Sequence, residues 1–190
     1  LTGNPVRSAL LQNLEAKKQE AAEFFGLDAN RPTLFVMGGS LGAKTLNVAF
    51  RSAISHFETA SVQLLWQCGK SYEQELAHFQ HSLPKNVKVF PFIQRMDLAY
   101  ALATVIVSRA GALSVSELAL VAKPAILVPS PNVAEDHQTK NARALVDRDA
   151  AVLVTDAAAQ ETLVPAALAL LKNLVQQQAL SKAIEALALP

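Results

Sequence analysis

One cysteine, one tryptophan and seven glycines stand among 190 residues, and neither charge is in excess: 17 Lys and Arg against 16 Asp and Glu leave a net +1. A lone thiol closes no internal disulfide. That excludes a small bridge-stapled fold and leaves Cys68, in the apolar stretch LLWQCG, as a buried and inert side chain. A membrane-spanning helix requires roughly 18 or more consecutive apolar residues. No stretch of this sequence approaches that, and the first residues lack the basic-then-apolar order of a signal peptide. Lys and Arg are spread along the chain, so it carries neither the basic footprint of a nucleic-acid partner nor a polybasic membrane anchor.

What the sequence has is apolar material in short, β-branched runs. About half of the residues, 51%, are hydrophobic, enough for one compact core, so residues 1–190 are read as a single domain. The runs are TLFVM at 33–37, VQLLW at 62–66, VKVF at 87–90, TVIV at 104–107, AILV at 125–128 and AVLV at 151–154. Each is followed by a segment of helical character, and none alternates cleanly between apolar and polar. Strands buried on both faces read this way, at the spacing of βαβ units. The expected fold is α/β: a doubly wound parallel sheet of about six strands, Rossmann-like. A helix over about residues 6–25 precedes it, and helices over about 161–171 and 176–187 close it. The chain opens on LTGNPVR, a Gly-Asn-Pro turn with no initiator Met, and so reads as a piece of a longer protein.

Ligands of open parallel sheets bind beyond the carboxyl ends of the strands, so the loops after the first, fourth and fifth runs are where chemistry is expected. After the first comes GGSLGAKTLN. Gly38, Gly39 and Gly42 let the backbone turn tightly, Ser40 offers a hydroxyl, and a helix starting near Ala43 offers N–H groups, a combination suited to phosphate. The glycines fall as G-G-x-x-G rather than G-x-G-x-x-G, and Gln67 and Cys68 stand where a dinucleotide site would have an acid. CGKS at 68–71 is not a P-loop, because its first glycine would fall on Leu64; Lys70 reads as a solvated turn residue.

After the fourth run comes SRAGALSVSE. In one reading Ser114 caps a helix and Glu117 closes a reciprocal capping box. In the other, N–H groups from Ala112 to Val115 face an anion and Glu117 accepts from paired sugar hydroxyls. The stretch after the fifth run brings Asp136, His137, Gln138 and Asn141 to a helix start, as sugar-reading polar groups or as a capped, solvated turn. Asp136 and His137 are no acid/base pair, since helical neighbours do not face each other and no nucleophile accompanies them. His78 and His81 have no third ligand at metal spacing, so no metal is expected. Ile93, in PFIQRM, presses on a flat base or fills core.

TGNPVR at 2–7, GGSLGAKTLN at 38–47, FIQRM at 92–96, AYALATVIVSRAGALSVSEL at 99–118, KPAILVPSP at 123–131 and DHQTKNA at 136–142 occur in this order. Together they resemble the C-terminal half of the MurG family of bacterial glycosyltransferases. The resemblance implies a GT-B enzyme that moves N-acetylglucosamine (GlcNAc) from UDP-GlcNAc to undecaprenyl-pyrophosphoryl-MurNAc-pentapeptide, with inversion and without a cofactor or protein-bound metal. It implies that this half holds the donor. Arg7 and Ser40 would then meet the diphosphate, and Ile93 the uracil through its backbone. Ala112, Leu113, Ser114, Val115 and Ser116 would supply N–H groups, Glu117 would accept from the ribose, and Gln138, with Asn141, would hold GlcNAc hydroxyls.

No catalytic residue is then expected in this chain. The catalytic base, the lipid-linked acceptor and the membrane contact, peripheral on the cytoplasmic side of the inner membrane, would belong to an N-terminal half outside it, leaving the domain itself soluble. The family often has Gln where Leu41 stands, Ser where Ala110 stands, and acids where Gln94 and Arg95 stand, the last pair bearing on the uracil-side loop. Other readings stay open: a stand-alone donor-binding subunit of a split transferase, or a nonenzymatic nucleotide-sugar module. A 2-epimerase half would have only Glu135 and Asp136 as its acid/base carboxylates.

Overall fold

The computed structural model describes residues 11–59, 61–131 and 136–188. Six strands form one sheet: β1 (Thr33–Met37), β2 (Gln63–Gln67), β3 (Val87–Phe90), β4 (Val105–Ser108), β5 (Ala125–Leu127) and β6 (Val152–Leu153). Their order is β3-β2-β1-β4-β5-β6, and every pairing is parallel. The α/β, doubly wound architecture expected from the apolar runs is the one found. The strand order reverses between β1 and β4, so the chain leaves those two strands in opposite directions and opens a crevice at their carboxyl ends.

β2 and β4 each lie one residue further along than their apolar runs. Their last residues, Gln67 and Ser108, are polar yet 4% and 1% exposed, and both are in register with Met37 at the end of β1. The ladder continues where hydropathy stops, because their backbone groups still find partners across the sheet.

Alternate strand residues enter opposite layers. Phe35, Leu65 and Ile106 pack with Phe25, Leu98, Tyr100, Leu118 and Leu145. These come from helices α1 (Lys18–Phe25), α5 (Met96–Leu102), α6 (Ala112–Val121) and α7 (His137–Val146). On the other face Leu34, Val36, Leu64 and Trp66 pack with Phe50, Phe57, Leu76, Leu163 and Leu180. Those helices are α2 (Lys44–Ser52), α3 (Ile54–Glu58), α4 (Glu73–Phe79), α8 (Ala159–Lys172) and α9 (Leu174–Glu185). With both faces covered, β1, β2 and β4 are apolar along their middles, and each large side chain so buried contributes about 1.5–3 kcal/mol. Among the described residues no helix is long and apolar enough to cross a membrane.

The first helix begins later than its periodicity suggests. Residues 6–10 lie outside the described part, residues 11–14 form turns and bends, and α-helix proper starts at Lys18 after a 3₁₀ turn at Glu15–Lys17. Asn13 adopts a left-handed φ of 56°, which diverts the chain while Leu11 and Leu14 still reach the core. The apolar spacing reflects burial there, not helix.

That segment is fastened to the loop after β3 by charge. Asp97, 7% exposed, accepts from Arg95 Nε and Nη2, both at 2.9 Å, and from Lys17 Nζ at 3.2 Å, while Arg95 also reaches Glu20 at 3.4 Å. The Arg95 guanidinium, more than the Lys17 amine, holds the Asp97 carboxyl down at about 2 against an opposing push from burial. A depressed carboxylate pKa stabilises the fold above the unfolded value near 4, and that contribution is lost as pH falls through about 2. Because Arg95 is 44% exposed and screened, the effect is on the order of 1–2 kcal/mol. Asp97→Asn should therefore unfold at lower urea than the wild type at neutral pH, and the gap between the two should close between about pH 4 and pH 2.

Candidate functional site

The loop after β1 is shaped by three glycines. Gly39 and Gly42 have φ of 85° and 90°, a region that L side chains rarely adopt. A Cβ on Gly38 would lie 2.6 Å from the amide nitrogen of Ala43, and one on Gly42 would lie 2.2 Å from the carbonyl oxygen of Cys68. Across that contact Gly69 is equally constrained, with a Cβ only 2.2 Å from Gly42 N. The loops after β1 and β2 thus interlock through bare backbone. Lys70 N–H donates to Ser40 O at 3.1 Å and the Ser71 hydroxyl to Leu41 O. The CGKS turn, no phosphate loop itself, braces the loop that resembles one. Lys70 is solvated as expected, its ammonium lying 4.9 Å from the Phe92 ring centroid.

The loop after β4 turns at Gly111, and α6 begins directly at Ala112. This overturns the capping-box reading. Gly111 is the cap residue, no side chain caps the first turn, and Ser114 and Glu117 stand third and sixth in the helix. Glycine lets the chain turn three residues earlier than Ser114 would have. Val115 N–H donates to Gly111 O at 2.9 Å and the Ser116 hydroxyl to Ala112 O at 3.0 Å, so the helix consumes both. The N–H groups outside its ladder are those of Ala112, Leu113 and Ser114.

Glu117 is 6% exposed, and its Oε2 accepts from the Tyr100 hydroxyl at 2.8 Å. Tyr100, fully buried on α5, also lies 3.5 Å from Met37 Sδ. Nothing near Glu117 in sequence points to Tyr100. The only available signal was a tyrosine in the apolar stretch LAYAL, since a buried hydroxyl needs a partner.

Gln138 and Asn141, on α7, turn toward backbone. Gln138 Oε1 accepts from Ser130 N at 2.8 Å and Ala110 N at 3.2 Å, and Asn141 Nδ2 donates to Ala110 O at 3.0 Å. The Ala110 peptide is held at both ends, which locks the β4 loop to the β5 loop. Arg109, which the sequence reading passed over, donates to Val128 O and Pro129 O and pairs with Asp156, whose other oxygen accepts from Thr45 Oγ1 at 3.0 Å.

These loops enclose two hollows that share Gly39 and Ser114. One, about 470 Å³, is lined by Gly38, Gly42, Lys44, Arg109 and Gln138. The other, about 230 Å³, lies between Met37, Ile93, Met96 and Leu113, with Ser40, Gln67 and Glu117 as its polar lining. The first suits an anion with polar substituents. The second suits a flat ring and hydroxyls, with one carboxylate to accept from them. Ile93 is 3% exposed, and its N–H already donates to Gln67 Oε1 at 2.8 Å. Arg7 lies outside the described residues, as does Glu135. Asn141 lines neither hollow, and Asp136 is the αL residue before α7.

Cys68 is fully buried, and burial pushes its thiol up to about 11, in keeping with an inert role. His78 and His81 are exposed, and among the described residues no three His, Cys, Asp or Glu group at metal-binding distance. A larger hollow of about 710 Å³ lies at the β3 edge among Phe24, Phe90, Phe92 and Arg95, away from the β4 and β5 loops.

The chain is 52% identical, over 189 residues and its full length, to the UDP-N-acetylglucosamine--N-acetylmuramyl-(pentapeptide) pyrophosphoryl-undecaprenol N-acetylglucosamine transferase of Cytophaga hutchinsonii, covering 50% of that protein. It is 47% identical to the protein of the same name from Flavobacterium psychrophilum, covering 51% of it. Among solved structures it superposes on Acinetobacter baumannii MurG with a TM-score of 0.73 at 31% identity, over 91% of this chain and 49% of that one. The chain thus spans about half the length of the curated relatives it matches. Residues 33–188 match the model of the glycosyltransferase family 28 C-terminal domain, and the chain belongs to that family.

Proposed function

We propose that this chain is the donor-binding domain of an inverting glycosyltransferase that moves GlcNAc from UDP-GlcNAc to undecaprenyl-pyrophosphoryl-MurNAc-pentapeptide. The observation that carries the reading is Glu117: a buried carboxylate braced by Tyr100 at 2.8 Å, lining a narrow apolar slot that adjoins a cleft lined by glycines and Arg109. A carboxylate in that place accepts from the two ribose hydroxyls, while Ile93, Met96 and Leu113 flank the base. The identity with transferases of that name supports the same donor and the same lipid-linked acceptor.

Each group has a task in the displacement. As the bond from the sugar's anomeric carbon to the diphosphate breaks, negative charge grows on the departing UDP. The N–H groups of Ala112, Leu113 and Ser114, those of the glycine loop, and the Arg109 guanidinium stand ready to stabilise it. Such preorganised donors act where charge develops and need no reorganisation at the moment of reaction. Gln138 and Asn141 serve by fixing the peptide at Ala110 from which α6 springs, and Ser40 lies at the diphosphate end of the slot. The donor is a substrate, and the reading asks for no cofactor. Groups that hold the acceptor, supply a base and meet the membrane belong to the rest of the length that the relatives carry, so this chain alone binds donor without transferring it.

Calorimetric titration with UDP, UDP-GlcNAc and UDP-GalNAc tests this. UDP should bind, and Glu117→Ala should weaken it about 10- to 100-fold, the range for a charged hydrogen bond. The wild type should prefer UDP to 2′-deoxy-UDP, and the variant should lose that preference. Tyr100→Phe should fall between, at several-fold weaker binding. No binding of UDP at millimolar concentration would sink the reading, as would a Glu117→Ala variant that melts earlier yet binds UDP unchanged.

A further inference from the structure

We propose that Gln67 is a positioning residue that couples the phosphate-side loop to the base-side loop of the donor site, an inference that rests on the nucleotide reading above. The loops after β1 and β3 are not neighbours, because β2 lies between those strands. Gln67 ends β2, 4% exposed, in register with Met37 on one side and Phe90 on the other. Its side-chain amide spans the gap. Oε1 accepts from Ile93 N–H at 2.8 Å, and Nε2 donates to Gly39 O at 3.2 Å.

One target is a donor and the other an acceptor, so the site calls for a side chain with one end of each kind at that reach. The slot of about 230 Å³ lies between the same two loops, with Gly39 and Ser40 on one side and Phe92, Ile93 and Met96 on the other, and Gln67 lines it. Its width therefore depends on the buried amide that joins the two walls. A ligand that moves one loop moves the other, and base and diphosphate bind non-additively.

Substituting the amide separates this role from mere packing. Gln67→Leu fills the space but leaves both backbone groups unbonded. Gln67→Glu keeps the bond from Ile93 N–H, yet when ionised it sets an oxygen against the Gly39 carbonyl. Once protonated, it donates there as the amide does. Burial raises the pKa of such a carboxyl above its usual range. Other titratable or charged groups around it are Glu117 and Tyr100 across the slot, Cys68 and Lys70 after β2, Glu73 on α4, and the Arg95–Asp97 pair after β3. The β-phosphate of UDP titrates as well. The ratio of variant to wild-type affinity at each pH removes these shared contributions.

UDP affinity is measured by calorimetry near pH 8 and near pH 5.5, with thermal melting to confirm folding. Both variants should bind about ten-fold more weakly than the wild type at the higher pH, the size of one lost buried hydrogen bond. At the lower pH Gln67→Glu should return to within about three-fold while Gln67→Leu does not. Equal affinity for all three proteins, or a Gln67→Glu deficit that ignores pH, overturns the coupling.

Should the variants fail to fold, the wild type still decides. Inorganic pyrophosphate, which engages only the glycine side, should shift the Ile93 amide resonance, and no shift at Ile93 overturns the proposal. If the wild type does not bind UDP at all, the nucleotide reading falls and takes this inference with it. UDP binding without the pH-dependent rescue leaves that reading standing and removes only the role of Gln67.

Discussion

Two α-carbons with no side chains fix the carboxyl edge of this sheet. Gly42 and Gly69 approach so closely that a Cβ on either would lie 2.2 Å from backbone of the opposite loop. This contact forces the loop after β1 against the turn after β2 and so determines where Gly39, Ser40 and Leu41 stand. The hydrogen bonds from Lys70 and Ser71 form because the loops already touch. Neither position tolerates alanine without moving backbone, since both also hold φ near 90°.

Around that contact the polar side chains divide into two kinds. Amides hold backbone: Asn47 joins Cys68 O to the Trp66 indole, Gln67 joins Gly39 to Ile93, and Gln138 with Asn141 grips Ala110. An amide offers a donor and an acceptor in one rigid plane, so it can satisfy two loop groups that water would otherwise have to reach. The acidic and basic side chains Glu117 and Arg109 are aimed. Glu117 is turned by Tyr100, and Arg109 by Asp156 and two carbonyls. The aimed groups depend on the amides, because Arg109 precedes, and the helix that carries Glu117 follows, the Ala110 backbone that Gln138 and Asn141 hold.

This division explains what the sequence disclosed. The six strands were legible because burial on both faces leaves continuous apolar runs, and the glycine loop was legible because left-handed φ selects glycine. Glu117 stood out near Gly111, although its helix starts three residues earlier than a Ser114 cap implies: Ser114 is the better cap by propensity, and the turn is made by glycine instead. The supporting amides were not legible. Gln67 and Ile93 are 26 residues apart and Tyr100 and Glu117 are 17 apart, and no local pattern marks such pairs until the parallel sheet brings them to one edge. Gln138 and Asn141 stand out by their polarity at a helix start, yet these hydrogen bonds go to backbone of the framework. Arg95, which departs from the acid expected by resemblance, is folded back on Asp97 and Glu20. The change is absorbed outside the slot, chiefly by Asp97 at the start of α5 and secondarily by Glu20 ahead of β1.

The near-neutral charge of the chain fits the proposed anion site at this edge. A cluster of free lysines would hold a diphosphate tightly before and after reaction alike, which slows release without lowering the barrier. Here the charge of Arg109 is already offset by Asp156, and the N–H groups at the start of α6 face the cleft beside Lys44. Peptide dipoles fall off within a turn of the helix, so they act on charge that appears at one place rather than on any anion nearby. On the donor-site function proposed above, an edge built from backbone donors, set by glycines and held by amides, favours the charge of a departing diphosphate over that of the resting donor. Its geometry is kept by groups that do not themselves touch the reacting atoms.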